Sequence, residues 1–317
     1  MQFQQIMDLA KELLDDFDFW KTGPVGKPSQ VMVPPLHVDK LKEALEELQI
    51  EFEIYIDNVQ ALIDEETKVI ISREKATSLA SFDYNVYHSA QESRKSISVN
   101  SVEGRPIKAL KISTGSGRLG AYTQGGIHAR EWISPATVIN LAQKFVAAFK
   151  SGDSVATQFF NKFDWYVLPL LNVDGYHYTR PESSSNNRLW RKNRQSVSFF
   201  CKGIDMNRNY GYKWGGEGTS GSPCSDIYRG DYAYEAQELQ LVTNWLLNLK
   251  KSQTFMIHVD VHSYGQYWVY PYSYTSGVKT SDDTELERVA KAATGKLAAV
   301  HGTQYTVIQS GRWCKYF

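Results

Sequence analysis

The chain has 317 residues, with 35 Lys plus Arg against 35 Asp plus Glu, so its formal net charge is zero. That balance speaks against a nucleic-acid binder held by charge, and against an acidic tail or a polybasic membrane patch. A hydrophobic content of 42% with 22% charged residues is that of a packed globular protein and not of a disordered one.

No apolar run approaches the roughly 18–20 residues that span a bilayer, so no transmembrane helix is expected. Met1 leads into Gln-Phe-Gln-Gln with neither a basic n-region nor an apolar h-region, so no signal peptide is read in the printed chain. The cysteines are Cys201, Cys224 and Cys314, which allow at most one disulfide and leave one thiol over.

Residues 1–66 read as a small α+β unit. Ile6, Leu9, Leu13 and Phe17 recur at helical spacing, and Val31 and Val33 alternate as a short strand closed by Pro34-Pro35. Leu41, Leu45 and Leu48 mark a second helix, and Phe52, Ile54 and Ile56 alternate with acidic residues as a half-buried strand. The order helix, strand, helix, strand suggests a small sheet with helices on one face. Residues 67–104 are polar and basic, with Arg73, Lys75, Arg94 and Lys95. Such a stretch reads either as an interdomain linker or as a place where proteases cut.

From residue 105 the pattern is α/β. Ser134-Pro135 reads as an N-cap followed by proline at the first helical position, with Val138, Leu141, Phe145 and Phe149 on one helix face. Phe163, Trp165 and Val167 alternate as a strand. Leu239, Val242, Leu246 and Leu249 mark a further helix, and so do Leu286, Val289, Ala293 and Leu297. The segment Arg118–Gln124 reads as less apolar than a sheet strand. Interleaved strands and helices predict a sheet covered on both faces.

The sharpest local signal is Gly126-Ile127-His128-Ala129-Arg130-Glu131-Trp132. His128 and Glu131 are three apart, so a turn or helix start brings both to one side, as an imidazole and a carboxylate suited to zinc. Alone, this pair reads first as a surface ion pair. In His258-Val259-Asp260-Val261-His262, the period of two puts His258, Asp260 and His262 on one face of a strand. His262 borders Ser263-Tyr264-Gly265 at the strand's C-terminal end, where α/β sheets place ligand sites, and is the better third ligand. His258 reads as an internal strand position. Asn187-Arg188-Leu189-Trp190-Arg191-Lys192 and Asp205-Met206-Asn207-Arg208-Asn209 carry the guanidinium and amide donors that hold a carboxylate, or else form a basic surface loop.

In order along the chain these motifs, with Asn172-Val173-Asp174-Gly175, Ser222-Pro223-Cys224 and Tyr270-Pro271-Tyr272, resemble a zinc metallocarboxypeptidase of the digestive A/B type in its procarboxypeptidase form. The resemblance implies a mixed α/β sheet covered by helices on both faces, preceded by a small antiparallel α+β propeptide. It divides the chain into an activation propeptide, 1–75, and a catalytic domain, 76–317, lacking its C-terminal part. It implies one zinc ion per chain on His128, Glu131 and His262, the donor set the general chemistry of zinc enzymes gives for carboxypeptidase A. Asp205 would orient His128. Asn207, Arg208 and Arg130 would bind the C-terminal carboxylate of a peptide, Tyr264 would line the cleft, and Arg191 would stabilise the oxyanion. Cys201 and Cys224 would form a disulfide, implying a secreted, extracellular protein. A trypsin-like protease cutting near Arg73 or Lys75 would activate it, and a monomer free of nucleic acid and membrane is expected.

The family's glutamate general base lies downstream of the region matching Tyr305-Thr306, and the sequence to Phe317 supplies no counterpart. An alternative reading is therefore an impaired isoform, or a gene-model fragment, that keeps the zinc and carboxylate sites.

Overall fold

The computed structural model describes residues 17–21, 28–74, 99–183, 187–275, 277–309 and 311. The Ile6–Leu13 periodicity, Lys75, Arg94, Lys95 and Cys314 lie outside them. The chain forms two compact units: one comprises 1–58, 216–218 and 264–317, the other 59–215 and 219–263. No helix among the described residues is long and apolar enough to cross a membrane.

In the first unit, β1 (Asp18–Lys21) pairs antiparallel with β2 (Gln30–Met32). Helix α1 (Val38–Glu47) follows a turn that starts at Pro35, and it buries Leu41. The strand expected at Phe52–Ile56 is not formed. That segment has no ladder partner among the described residues, and Phe52 and Ile54 are exposed. Alternation alone does not make a strand where no neighbour takes its hydrogen bonds. The same unit holds β9 (Tyr267–Tyr270), helix α7 (Asp283–His301) and β10 (Thr306–Gln309), with β9 and β10 parallel. Helix α7 buries Asp283, Ala290 and Thr294, leaving Val289 and Leu297 substantially exposed, so its inward face is turned from the one the leucine spacing marks.

The second unit begins with helix α2 (Val59–Glu74). Strands β3 (Val99–Asn100) and β4 (Pro106–Ile107) make a short hairpin. The central sheet has four strands in the order β5 (Leu110–Ile112), β7 (Phe163–Leu168), β6 (Leu119–Gly125), β8 (Phe255–Val261). β6 runs parallel to both β7 and β8, and β5 is antiparallel to β7, which makes the sheet mixed.

Alternate side chains sort to two cores. Ala121, Trp165 and Val167 face helices α3 (Ile133–Lys150) and α4 (Ser154–Lys162) through Val138, Ala142 and Phe160. Tyr122, Tyr166 and Leu168 face the other way, onto Leu239 and Val242 of helix α6 (Gln237–Lys250). Helix α5 (Val173–Thr179) follows β7.

The segment that reads as less apolar than a sheet strand forms β6, one of the sheet's two inner strands. Its polar residues are buried with partners: Thr123 accepts from Trp165 Nε1 at 2.9 Å, and Gln124 accepts from the Tyr122 hydroxyl at 2.8 Å. Buried polar groups that find partners cost little, so the strand tolerates them. Two local expectations shift. Helix α3 starts at Ile133, with no side-chain cap, so Ser134 and Pro135 lie inside its first turn. Leu141 is largely exposed, while Val138 is buried and Phe145 and Phe149 pack on the same core.

Candidate metal centre

The parallel pairing of β6 with β8 sets Gly125 opposite Val261. His128, just past β6, and His262, just past β8, therefore emerge at the same C-terminal edge of the sheet. Gly126 makes the exit turn at φ +63°, where a side chain is strained and its Cβ would crowd Leu170 Cδ1 at 2.5 Å, so the position favours glycine. The Ser134 hydroxyl donates to the Val261 carbonyl and accepts from the Gly126 amide at 2.8 Å, tying α3 to both strand ends. The hydroxyl does not cap a helix because the two strands occupy it.

Glu131 is the centre of the group. One carboxylate oxygen lies 2.8 Å from His128 Nδ1, and the other 3.1 Å from His262 Nδ1. The Ser263 amide donates to Glu131 at 3.2 Å. The ligand atoms of His128, Glu131 and His262 all lie within 4.8 Å of one another. Burial would raise the Glu131 carboxyl, yet His128 and then His262 hold it well below the usual carboxylate range. Burial disfavours charge on the His262 ring, but Asp260 and then Glu131 raise its pKa to about 10. Two imidazole nitrogens and a carboxylate, all turned inward, are a donor set that fits zinc with a coordination position to spare.

The far nitrogen of His128, Nε2, faces Asp205 Oδ1 at 3.3 Å. Asp205 is fully buried and also receives Arg191, at 3.0 Å from Nε and 2.9 Å from Nη2, and the Asn207 amide at 2.9 Å. Burial pushes its carboxyl up, but Arg191 and then His128 pull it well down. Arg191 Nη1 lies 3.4 Å from His128 Nδ1, so its guanidinium sits beside the triad.

Of the sequence-derived residues, the structure gathers His128, Glu131, His262, Asp205 and Arg191 into one contact network. Asn207 and Arg208 form the short turn after Asp205, where Arg208 adds positive charge. Arg130 turns its guanidinium to the Leu189 carbonyl, 3.1 Å, and Asp226, 3.3 Å. Tyr264 follows the triad in sequence with φ +52° and an exposed side chain. Cys201 and Cys224 are joined in a disulfide. Arg73 lies near the end of α2.

Three sets of contacts near the site escape the sequence reading. Asn172 donates to the carbonyls of Ile127 and Lys192, both at 3.1 Å, so it pins the His128 turn to the Arg191 loop. Its legible signal is that it opens the Asn172-Val173-Asp174-Gly175 motif, to which the sequence assigns no role. Asp260 faces His262 Nε2 at 3.5 Å, as Asp205 faces His128. On α2, Glu66 reaches Arg188, beside a cleft of about 260 Å³ lined by Gln60, Ile63 and residues 187–190.

Comparison with known proteins follows the same lines. The zinc carboxypeptidase family model matches residues 88–316, and the carboxypeptidase activation peptide model matches residues 1–66. Carboxypeptidase A2 of Mus musculus is 33% identical over 96% of this chain and 75% of its own length. Carboxypeptidase A1 of Bos taurus is 37% identical over 93% of this chain and 74% of its own. The solved structure of thrombin activatable fibrinolysis inhibitor superposes with a TM-score of 0.82 at 30% identity, covering 98% of this chain and 80% of that one.

Proposed function

Because this chain belongs to the zinc carboxypeptidase family, with an activation peptide at its N-terminus, we propose that His128, Glu131 and His262 hold its zinc and that the site releases C-terminal residues from peptides. The observation that carries this reading is the convergence of those three ligand atoms beside a buried arginine. Zinc bound there supplies a Lewis acid and a water whose pKa falls to about 7.

Around that site the chain's own residues bind, orient and supply charge. Arg191, held on Asp205 beside His128, places fixed positive charge where the scissile carbonyl oxygen gains negative charge. Asn207 and Arg208, with Arg130, supply the amide and guanidinium donors that a free C-terminal carboxylate needs. Tyr264 lines the substrate cleft. Asp205 keeps His128 turned so that Nδ1 faces Glu131. The propeptide extends over residues 1–75 and the catalytic domain over 76–317. A trypsin-like protease cutting near Arg73 or Lys75 releases the activation peptide. The protein acts as a secreted, extracellular monomer, a setting supported by its disulfide.

The test is zinc content and peptide assay on the full chain, before and after limited trypsin treatment. The reading requires about one zinc per chain, and release from peptides with a free C-terminus but not from amidated ones. His262→Ala should lose the metal. Equal cleavage of free and amidated peptides, or zinc retained by His262→Ala, overturns it.

A further inference from the structure

The two histidines of the triad are held alike. Each turns Nδ1 towards Glu131, and each presents Nε2 to a second carboxylate: Asp205 for His128 at 3.3 Å, Asp260 for His262 at 3.5 Å. Asp260 is itself anchored. It sits directly across the ladder from Gln124, whose Nε2 donates to Asp260 Oδ2 at 2.8 Å. Gln124 is buried, and its carbonyl accepts from the Tyr122 hydroxyl, two residues back on the same strand face. The same amide nitrogen reaches the Tyr210 hydroxyl at 3.4 Å. The other Asp260 oxygen, Oδ1, is enclosed with no hydrogen-bond partner among the described residues. A carboxylate kept in that position, with one oxygen unsatisfied, is not explained by stabilising β8, where an apolar or hydroxyl side chain would serve as well.

We propose that Asp260 is a positioning residue of the metal centre: held by Gln124, it engages Nε2 of His262 and so keeps the ring turned with Nδ1 aimed at the ion. The inference rests on His262 being a zinc ligand, as proposed above. Carboxylate partners of ligating histidines fix the tautomer and ring orientation and raise ligand basicity, and their loss costs about 10–100-fold in metal affinity. Asp260 acts through His262 and touches no substrate.

The experiment measures zinc affinity by chelator competition on the full chain, as wild type, Asp260→Asn, Asp260→Ser and His262→Ala. The cobalt(II) absorption spectrum and the melting temperature of the metal-free chain are recorded alongside. Asp260→Ser should weaken zinc by about 10–100-fold. Asp260→Asn keeps an acceptor oxygen but not the charge, and should fall between Ser and wild type. Both should shift the cobalt bands while the metal-free melting temperature stays near wild type. If wild type and His262→Ala bind zinc alike, the assignment of the ligands fails and this inference falls with it. If wild type binds tightly, His262→Ala does not, and the Asp260 variants stay within about threefold with unchanged cobalt bands, Asp260 is only structural and the ligand assignment stands. Should Asp260→Asn fail to fold, Asp260→Ser decides by the same criteria.

Discussion

Glu66, on α2, lays its carboxylate 2.7 Å from Nε of Arg188, and the same guanidinium donates to the Arg130 carbonyl at 2.7 Å and stacks 3.7 Å over Trp132. Glu66 is the last residue that the activation-peptide model matches, and Arg188 lies in the segment that carries Arg191. The pair therefore fastens the end of the activation-peptide match to the polypeptide that carries the candidate metal centre.

A partly exposed pair of this kind contributes about 1 kcal/mol, or roughly fivefold in an opening equilibrium. Glu66→Gln should speed trypsin cleavage near Arg73 by up to about that factor and leave the activity of the cleaved enzyme unchanged. Time courses of cleavage followed by mass spectrometry check this. Equal rates for variant and wild type would show that α2 is held by its other contacts.

Asp205 joins His128 to Arg191 in a buried site. Asp205→Ala leaves Arg191 without its counter-charge, and breaking such a pair costs about 3–5 kcal/mol. Denaturant unfolding at pH 7 should show that loss in the midpoint, together with weakened zinc binding. A loss of stability with full zinc affinity would separate Asp205 from the metal centre.

Asp164 gives a pH dependence away from the metal. It receives Lys111 at 2.8 Å, Ser113 at 2.6 Å and Gln253 at 3.0 Å. Burial opposes its charge, but these partners, Lys111 first, lower its pKa below the ordinary value. A carboxyl lowered on folding adds stability above its unfolded pKa, near 3.9, and loses it as pH falls through the folded value. Asp164→Asn should therefore lower the melting temperature at pH 6 and narrow its gap to wild type as pH falls below about 4. A gap that is constant with pH would remove the charge from the account.

The motifs at His128 and His262 were legible because each places a candidate ligand within a few residues of a strand end, and strand ends are local features. The polar β6 was not, because what makes Thr123 and Gln124 acceptable in a buried strand is Trp165 and Tyr122, and only the folded register brings Trp165 near. Phe52, Ile54 and Ile56 failed in the opposite sense, showing alternation without a neighbouring strand to pair with. Asp260 was seen on the same strand face as His262, but its likeness to Asp205 exists only through distances that close on folding. The exposed Leu141 and Val289 show that helical spacing marks a face only to within about one residue, since the packing partner decides the rotation.

Glu131 and His262 are 131 residues apart in the chain, and the Ser134 hydroxyl spans the strand ends that bring them together. Of the proposed ligand set only His128 and Glu131, three residues apart, can meet in a local turn, and the set of three has no local precursor. It comes into being only when β8 has docked beside β6, among the longest loop closures in this unit. An ion captured there stabilises that docking in proportion to its affinity, so metal occupancy and the cohesion of the sheet are one equilibrium. Chelation should therefore register first as hydrogen exchange along β8, before it registers as a change in the helices.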